Sequence, residues 1–123
     1  MNKQDLVAVV AEWLDQRDQS RPFMVTVLTS STHHPYQLPR DVSERLEAAG
    51  QEQGNAEQRY AKLIQDQDAM LGGLIEELRS RQLEDSTLIL VVGDHGEGFG
   101  EKGVKQHDNN FWEEGLRVPA VIA

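Results

Sequence analysis

Residues 86–123 read STLILVVGDHGEGFGEKGVKQHDNNFWEEGLRVPAVIA. The stretch opens as an oily strand, Leu88 to Val92, and turns apolar again at Val118. Between them lie glycines interleaved with Asp94, His95, Glu97, Glu101, His107 and Asp108. A short apolar run bounded by turn residues suits a strand buried on both faces, as in a parallel sheet. Charged and imidazole groups just past its end stand where open α/β sheets bind ligands, beyond the carboxyl ends of the strands.

The same arrangement recurs upstream. Pro22 opens PFMVTVLTS, a second near-continuous apolar run, and STHHPYQLPR follows it as a loop with two prolines. RVPAVIA reads as a further strand. Helices separate the strands. Leu6, Val9, Val10, Trp13 and Leu14 recur at helical spacing behind Asn2 as a cap. Asp41 and Glu44 have the spacing of a capping box, and Gly50 is a stop. A longer helix is expected from about Ala56 to Gln82, with Tyr60, Ile64, Leu71, Leu74, Ile75 and Leu78 near one face. Its Gly72–Gly73 pair costs about 1 kcal/mol per glycine, which close packing against a sheet would explain. Periodicity puts Asp68 close to the apolar side, where a carboxylate wants a partner. Alternating helices and oily strands imply a layered α/β/α sandwich with a mostly parallel sheet. The sequence ends inside its third apolar strand, so the expectation is an incomplete domain spanning 1–123.

Composition narrows the partners. A net charge of −9 argues against nucleic acid and against anionic lipid surfaces. An anionic substrate then needs a local correction, from a metal ion or placed cations. With no cysteine, a disulfide scaffold and a thiolate metal site are both excluded. No apolar run reaches the roughly 18 residues of a membrane span.

The polar clusters carry the chemistry. Asp94 and His95 are adjacent and would point to opposite sides of an extended strand, but a sharp turn at Gly96 can bring both toward one ion. Carboxylate oxygen with neutral imidazole nitrogen suits Zn²⁺ or Mn²⁺ better than Ca²⁺, which prefers oxygen throughout. Taken as an isolated pair, the same residues also read as a turn cap and a loop histidine. In THHPY, one of His33 and His34 can donate to a substrate oxyanion or shuttle a proton; both also read as surface histidines. His107 is a third imidazole that could bind an anion or protonate a leaving oxygen, and Lys105 a cation, unless the segment is a solvated loop anchored by Phe111 and Trp112. Glu113, Glu114 and Arg117 read as structural charges, and Glu76, Glu77, Arg79 and Arg81 as a solvated helix face.

Taken in order, RPFMVTVLTSSTHHPYQLP, then YAKLIQDQDAMLGGLIEELRSRQLEDSTLILVVGDHGEGFGEKG, then QHDNNFWEEGLRVPAVI resemble the C-terminal part of a sulfatase-type catalytic domain of the alkaline phosphatase superfamily. The pattern looks most like the branch of lipoteichoic acid synthases and phosphoglycerol transferases. The resemblance implies an alkaline phosphatase-like fold, with Asp94 and His95 as metal ligands. It makes His33 a substrate-binding histidine, His107 a contact to the sulfate or phosphate group, and EEGLRVP a structural signature. Where calcium-dependent arylsulfatases commonly carry Asp-Asn, this chain has Asp-His, which favours Mn²⁺ or Zn²⁺ and phosphate esters. Lys102 stands where a histidine is common. The family's nucleophile and first acidic ligands belong to an N-terminal half not represented in these residues. That half is one expected partner, besides a sulfate or phosphate ester substrate and self-association through exposed sheet edges. Relatives in this branch imply an external or periplasmic catalytic domain on a membrane anchor. Three readings follow: part of a metal-dependent sulfuric or phosphoric ester hydrolase or phosphoglycerol transferase, inactive alone; a phosphatase or phosphodiesterase on the same scaffold; or a non-catalytic binding module.

Overall fold

The computed structural model describes residues 3–107 and 111–123, so the expected cap Asn2 and residue Asp108 lie outside the described residues. The chain forms two compact units, Met1–Asp85 and Ser86–Ala123.

The first unit is helical. Helix α1 spans Lys3–Gln16, α2 Arg40–Ala48 and α3 Ala56–Ser80. Helix α1 packs on α3. Gly73 is where they approach: a Cβ there would lie 3.3 Å from a Val7 methyl, while Gly72 faces open space. The glycine pair thus serves helix–helix contact at one position, and contact with a sheet at neither. Arg81 ties the same two helices together. Its Nε and Nη2 donate to the two Asp15 carboxylate oxygens at 2.7 and 2.8 Å, and Nη1 donates to Glu77. With its side chain 22% exposed, Arg81 belongs to the packing rather than to a solvated face. The fork of Arg81 holds the Asp15 carboxyl below the usual aspartate range.

Leu14, Tyr36, Leu38 and Leu63 form the buried apolar centre, with the Tyr36 ring edge-on to Tyr60 at 5.7 Å. Tyr36 and a Gln67-to-Ser31 hydrogen bond of 2.6 Å fasten the 31–38 loop onto α3. On α3, Tyr60, Leu71, Leu74, Ile75 and Leu78 are half-buried as expected, while Ile64 is exposed and Leu63 buried in its place, and Asp68 is exposed where Asp66 is half-buried.

The capping boxes are also exchanged. Pro39 occupies the cap of α2, which has no side-chain cap; Asp41 pairs with Arg45 and Glu44 with Arg40 inside the helix. The capping box that forms is Asn55/Gln58, with reciprocal bonds of 2.9 Å at the start of α3.

Strands depart further from expectation. Residues 22–29 form no strand and make no backbone–backbone hydrogen bond among the described residues. Met24 and Leu28 of this run are 89% and 85% exposed. In the second unit, β1 (Leu90–Val92) pairs with β4 (Ala120–Ile122), and β2 (Gly98–Phe99) with β3 (Lys105–Gln106). Both ladders are antiparallel, where the sequence pattern suggests parallel partners. A parallel return needs a crossover of a dozen or more residues, usually helical. Among its described residues, the excursion from β1 to β4 has as helix only the one-turn α4 (Glu113–Leu116) and a three-residue 3₁₀ turn at Glu101–Gly103. Every residue of β1 and β4 is exposed. No described helix is long and apolar enough to cross a membrane.

Removing the Leu63 side chain, which is 1% exposed, should leave a cavity at the helix interface. Leu63→Ala is expected to cost about 3 kcal/mol, and Asn55→Ala about 1 kcal/mol, in urea unfolding of the full chain. Because the folded pKa of Asp15 is depressed, its ion pair stabilises above the unfolded value and is lost as pH falls through the folded one. Asp15→Asn should therefore flatten the fall in stability between about pH 5 and pH 3.

Candidate functional site

Ladder β1–β4 continues past its last pair through a bond from Gly93 N to Pro119 O of 3.2 Å, and the chain then turns. The turn is clasped from below: Gly96 N donates to Gly115 O at 2.8 Å. A Cβ on Gly96 would lie only 2.0 Å from the Glu114 carbonyl oxygen, so this position admits no side chain. The EEGL segment is thereby the seat of the GDHG turn. Glu114 and Lys102 pair at 3.0 Å, with the Lys102 ammonium 4.9 Å over the Trp112 ring, and Arg117 pairs with Glu113. These charges are thus paired with one another on the protein surface.

On this turn, Asp94 and His95 come together. Asp94 Oδ1 accepts the His95 backbone N–H at 3.0 Å, and this bond holds the carboxyl below its ordinary range. The carboxylate is 80% exposed and ionised at neutral pH. His95 Nδ1 lies 2.8 Å from the Gly96 carbonyl, and since a carbonyl only accepts, Nδ1 carries the hydrogen. The neutral ring then has its lone pair on Nε2, which is 3.7 Å from Asp94 Oδ2. Two donors each about 2.1 Å from one tetrahedral ion are separated by about 3.4 Å. The pair therefore fits a divalent cation by chemistry and by spacing. It supplies two donors; among the described residues, no group of three or more His, Cys, Asp or Glu side chains is placed to hold an ion.

His107 joins this pair through the β2–β3 ladder. Gly98 faces Gln106, so the next positions outward are Glu97 and His107. His107 Nδ1 lies 3.3 Å from Glu97 Oε1, and the Glu97 side chain is only 5% exposed. The His107 ring stacks on His95 with centroids 3.7 Å apart. Glu97 was given no role by sequence reasoning. Its signal lies in the hairpin spacing of GEGFGEKGVKQH, which brings residues ten apart into register.

Lys105 is exposed on β3. His33 belongs to the first unit, in the turn closed by His33 N to Ser30 O and Tyr36 N to His33 O. Its Nδ1 donates to the His34 carbonyl at 2.8 Å, and the His34–Pro35 peptide is cis. His34 lies edge-on to Tyr36 at 5.5 Å. The structure thus brings Asp94, His95 and His107 together in one unit, and presents His33 from a loop of the other.

The sulfatase family model matches residues 1–123, the whole chain. The chain belongs to the sulfatase family. Membership implies an alkaline phosphatase-like α/β fold for the domain. Among curated proteins, a choline-sulfatase of Rhizobium meliloti (strain 1021) is 43% identical over 56 residues, 46% of this chain and 11% of the relative. An ulvan-active sulfatase of Formosa agariphila is 25% identical over 124 aligned positions, 87% of this chain and 24% of the relative. This chain thus spans at most about a quarter of the length of either sulfatase. No solved structure gives a significant match.

In this sulfatase chain, Gly96→Ala should drive a methyl into the Glu114 carbonyl and cost about 3 kcal/mol. Thermal unfolding should show it, while Gly100→Ala, where a Cβ meets nothing within 4 Å but φ is +126°, reports backbone strain alone.

Proposed function

We propose that the chain is part of a sulfuric ester hydrolase, and that Asp94 and His95 hold its divalent cation. The reading is supported above all by the 3.7 Å separation of Asp94 Oδ2 and His95 Nε2, with His95 Nδ1 already committed, in a member of the sulfatase family. A bound Mn²⁺ or Zn²⁺ supplies positive charge that favours ionised nucleophiles and developing negative charge on ester oxygens. Asp94 contributes a carboxylate that needs no deprotonation at neutral pH, and His95 a lone pair fixed by its own backbone. Glu97 holds the Nδ1–H of His107, so the proton His107 gives to a leaving oxygen is carried on Nε2. Lys105 supplies a donor to a non-bridging oxygen of the ester, and His33 keeps the substrate-binding role that the family resemblance implies. We place the nucleophile and the remaining ligands outside these 123 residues, in a catalytic domain that lies outside the membrane.

Phosphoglycerol transfer, or phosphodiester cleavage, is the second reading, and what favours it is His95 in place of asparagine. Both curated relatives are named as sulfatases, which puts the sulfuric ester first.

Calorimetric titration of the chain with Mn²⁺ and Zn²⁺ tests the site. Saturable binding is expected, weakened at least about tenfold in Asp94→Ala and His95→Ala, because each leaves a single donor. Binding indifferent to both substitutions would leave the non-catalytic module as the better account. Neither 4-nitrophenyl sulfate nor bis(4-nitrophenyl) phosphate should turn over on the chain alone. Turnover there would refute a nucleophile located elsewhere, and the preferred ester would choose between the two readings.

A further inference from the structure

Beside the GDHG turn, the Glu97 side chain is 5% exposed, against 80% for Asp94. Its carboxylate meets His107 Nδ1 at 3.3 Å. An ionised carboxylate only accepts, so the ring presents Nδ1–H to it. A buried carboxylate needs such a partner. Glu97 therefore fixes which nitrogen of the neutral His107 ring carries the hydrogen.

The hairpin aims both groups. Gly98 is buried, and a Cβ there would lie 3.1 Å from the Gln106 carbonyl oxygen, so β2 and β3 close tightly beside Glu97 and His107. Gln106 takes a left-handed φ of +64°, which a residue with a side chain rarely adopts, and His107 leaves the strand from there. The tip of the hairpin is tied by Phe99 N to Glu101 Oε2 at 2.7 Å and by Gly103 N to Gly100 O at 3.0 Å.

The His107 ring reaches His95, with 3.7 Å between centroids and 30° between planes. His95 is held at one edge, by the Gly96 carbonyl at 2.8 Å. A single bond at one edge lets a ring tilt about it; a second ring packed on its face resists that tilt. We propose that Glu97 is a positioning residue for the metal pair: through the His107 ring it braces His95, so that Nε2 stays opposite Asp94 Oδ2. The inference rests on the reading of Asp94 and His95 as cation ligands, and adds to it an acid that touches no ion and acts through an intervening ring. Outer partners of ligating histidines change metal affinity by about 10- to 100-fold when removed. Coupling through a stack, without a hydrogen bond to the ligand itself, belongs at the lower end of that range.

The test is calorimetric titration of the full chain with Zn²⁺, for Glu97→Gln, His107→Phe and the two combined. Glu97→Gln keeps the shape of the buried side chain, and His107→Phe keeps a ring in the stack. Glu97→Gln should weaken Zn²⁺ about tenfold. On the His107→Phe background the same change should cost less than about twofold, because the ring there has no nitrogen for Glu97 to hold. Equal losses on both backgrounds would mean that the Glu97 charge acts directly on the ion, and would overturn the proposal. A second readout needs no metal. Nitrogen-15 spectra of the imidazoles at about pH 8, above the ordinary histidine range, should show His107 as the Nδ1–H tautomer. Glu97→Gln, whose amide can accept or donate, should give a mixture of tautomers. An unchanged tautomer would also overturn the proposal. Asp94→Ala separates the two readings. Zn²⁺ weakened by Asp94→Ala but not by Glu97→Gln would remove the positioning role and leave the metal pair standing; Zn²⁺ indifferent to both would remove the metal pair and the positioning role with it.

Discussion

The bond from Gly96 N to Gly115 O is the contact on which the second unit turns. The last pair of ladder β1–β4 lies four residues before it, and without a second anchor the GDHG turn would peel away from the EEGL segment. The anchor requires backbone against backbone, closer than any side chain allows, and Gly96 is the residue that permits it. Once the turn is held, the carbonyl of Gly96 is fixed, and that carbonyl orients His95. The Asp94 carboxylate is oriented in turn by the His95 N–H. A packing constraint at a glycine thus brings the Asp94 and His95 side chains together within two residues.

The acids near this turn divide by surroundings rather than by type. Glu114 sits against Lys102 and Glu113 against Arg117, so their charges are spent within the segment. Asp94 has its carboxylate satisfied on one oxygen by backbone and directed outward on the other. Glu97 is the reverse case, nearly buried, with His107 beside it. A buried carboxylate against an imidazole orients the ring, whereas an exposed carboxylate on a turn remains available to a ligand.

Much of this was legible in the sequence, and the rest was hidden for identifiable reasons. Helices α1 and α3 follow from apolar residues at three and four spacing, a local signal. The capping box did not follow, because Asp41/Glu44 at α2 and Asn55/Gln58 at α3 satisfy the same pattern, and Pro39 takes the cap of α2. The apolar runs at 88–92 and 118–122 announce strands, but apolarity carries no direction, and direction depends on the connection. Asp94 and His95 were readable as a pair since they are neighbours in the chain. Glu97 with His107, and Arg81 with Asp15, depend on hairpin register and on helix packing, which no local window contains.

Two features of the structure share one physical character. The run at 22–29 is apolar with a backbone that pairs with no other backbone among the described residues, and β1 and β4 are apolar with both faces open to water. Both forgo burial and hydrogen bonds that such residues ordinarily obtain from neighbouring strands. The Asp94–His95 pair likewise offers two donors where an ion takes four or more. On the proposed reading, these shortfalls are met by the same event. Strands that cover the open faces would exclude water around the carboxylate and imidazole, lower the local dielectric and strengthen their hold on a cation. Further ligands arriving with those strands would complete its coordination. Folding of the sheet and assembly of the metal site would then be coupled, so that metal affinity measures how completely the apolar strands are covered.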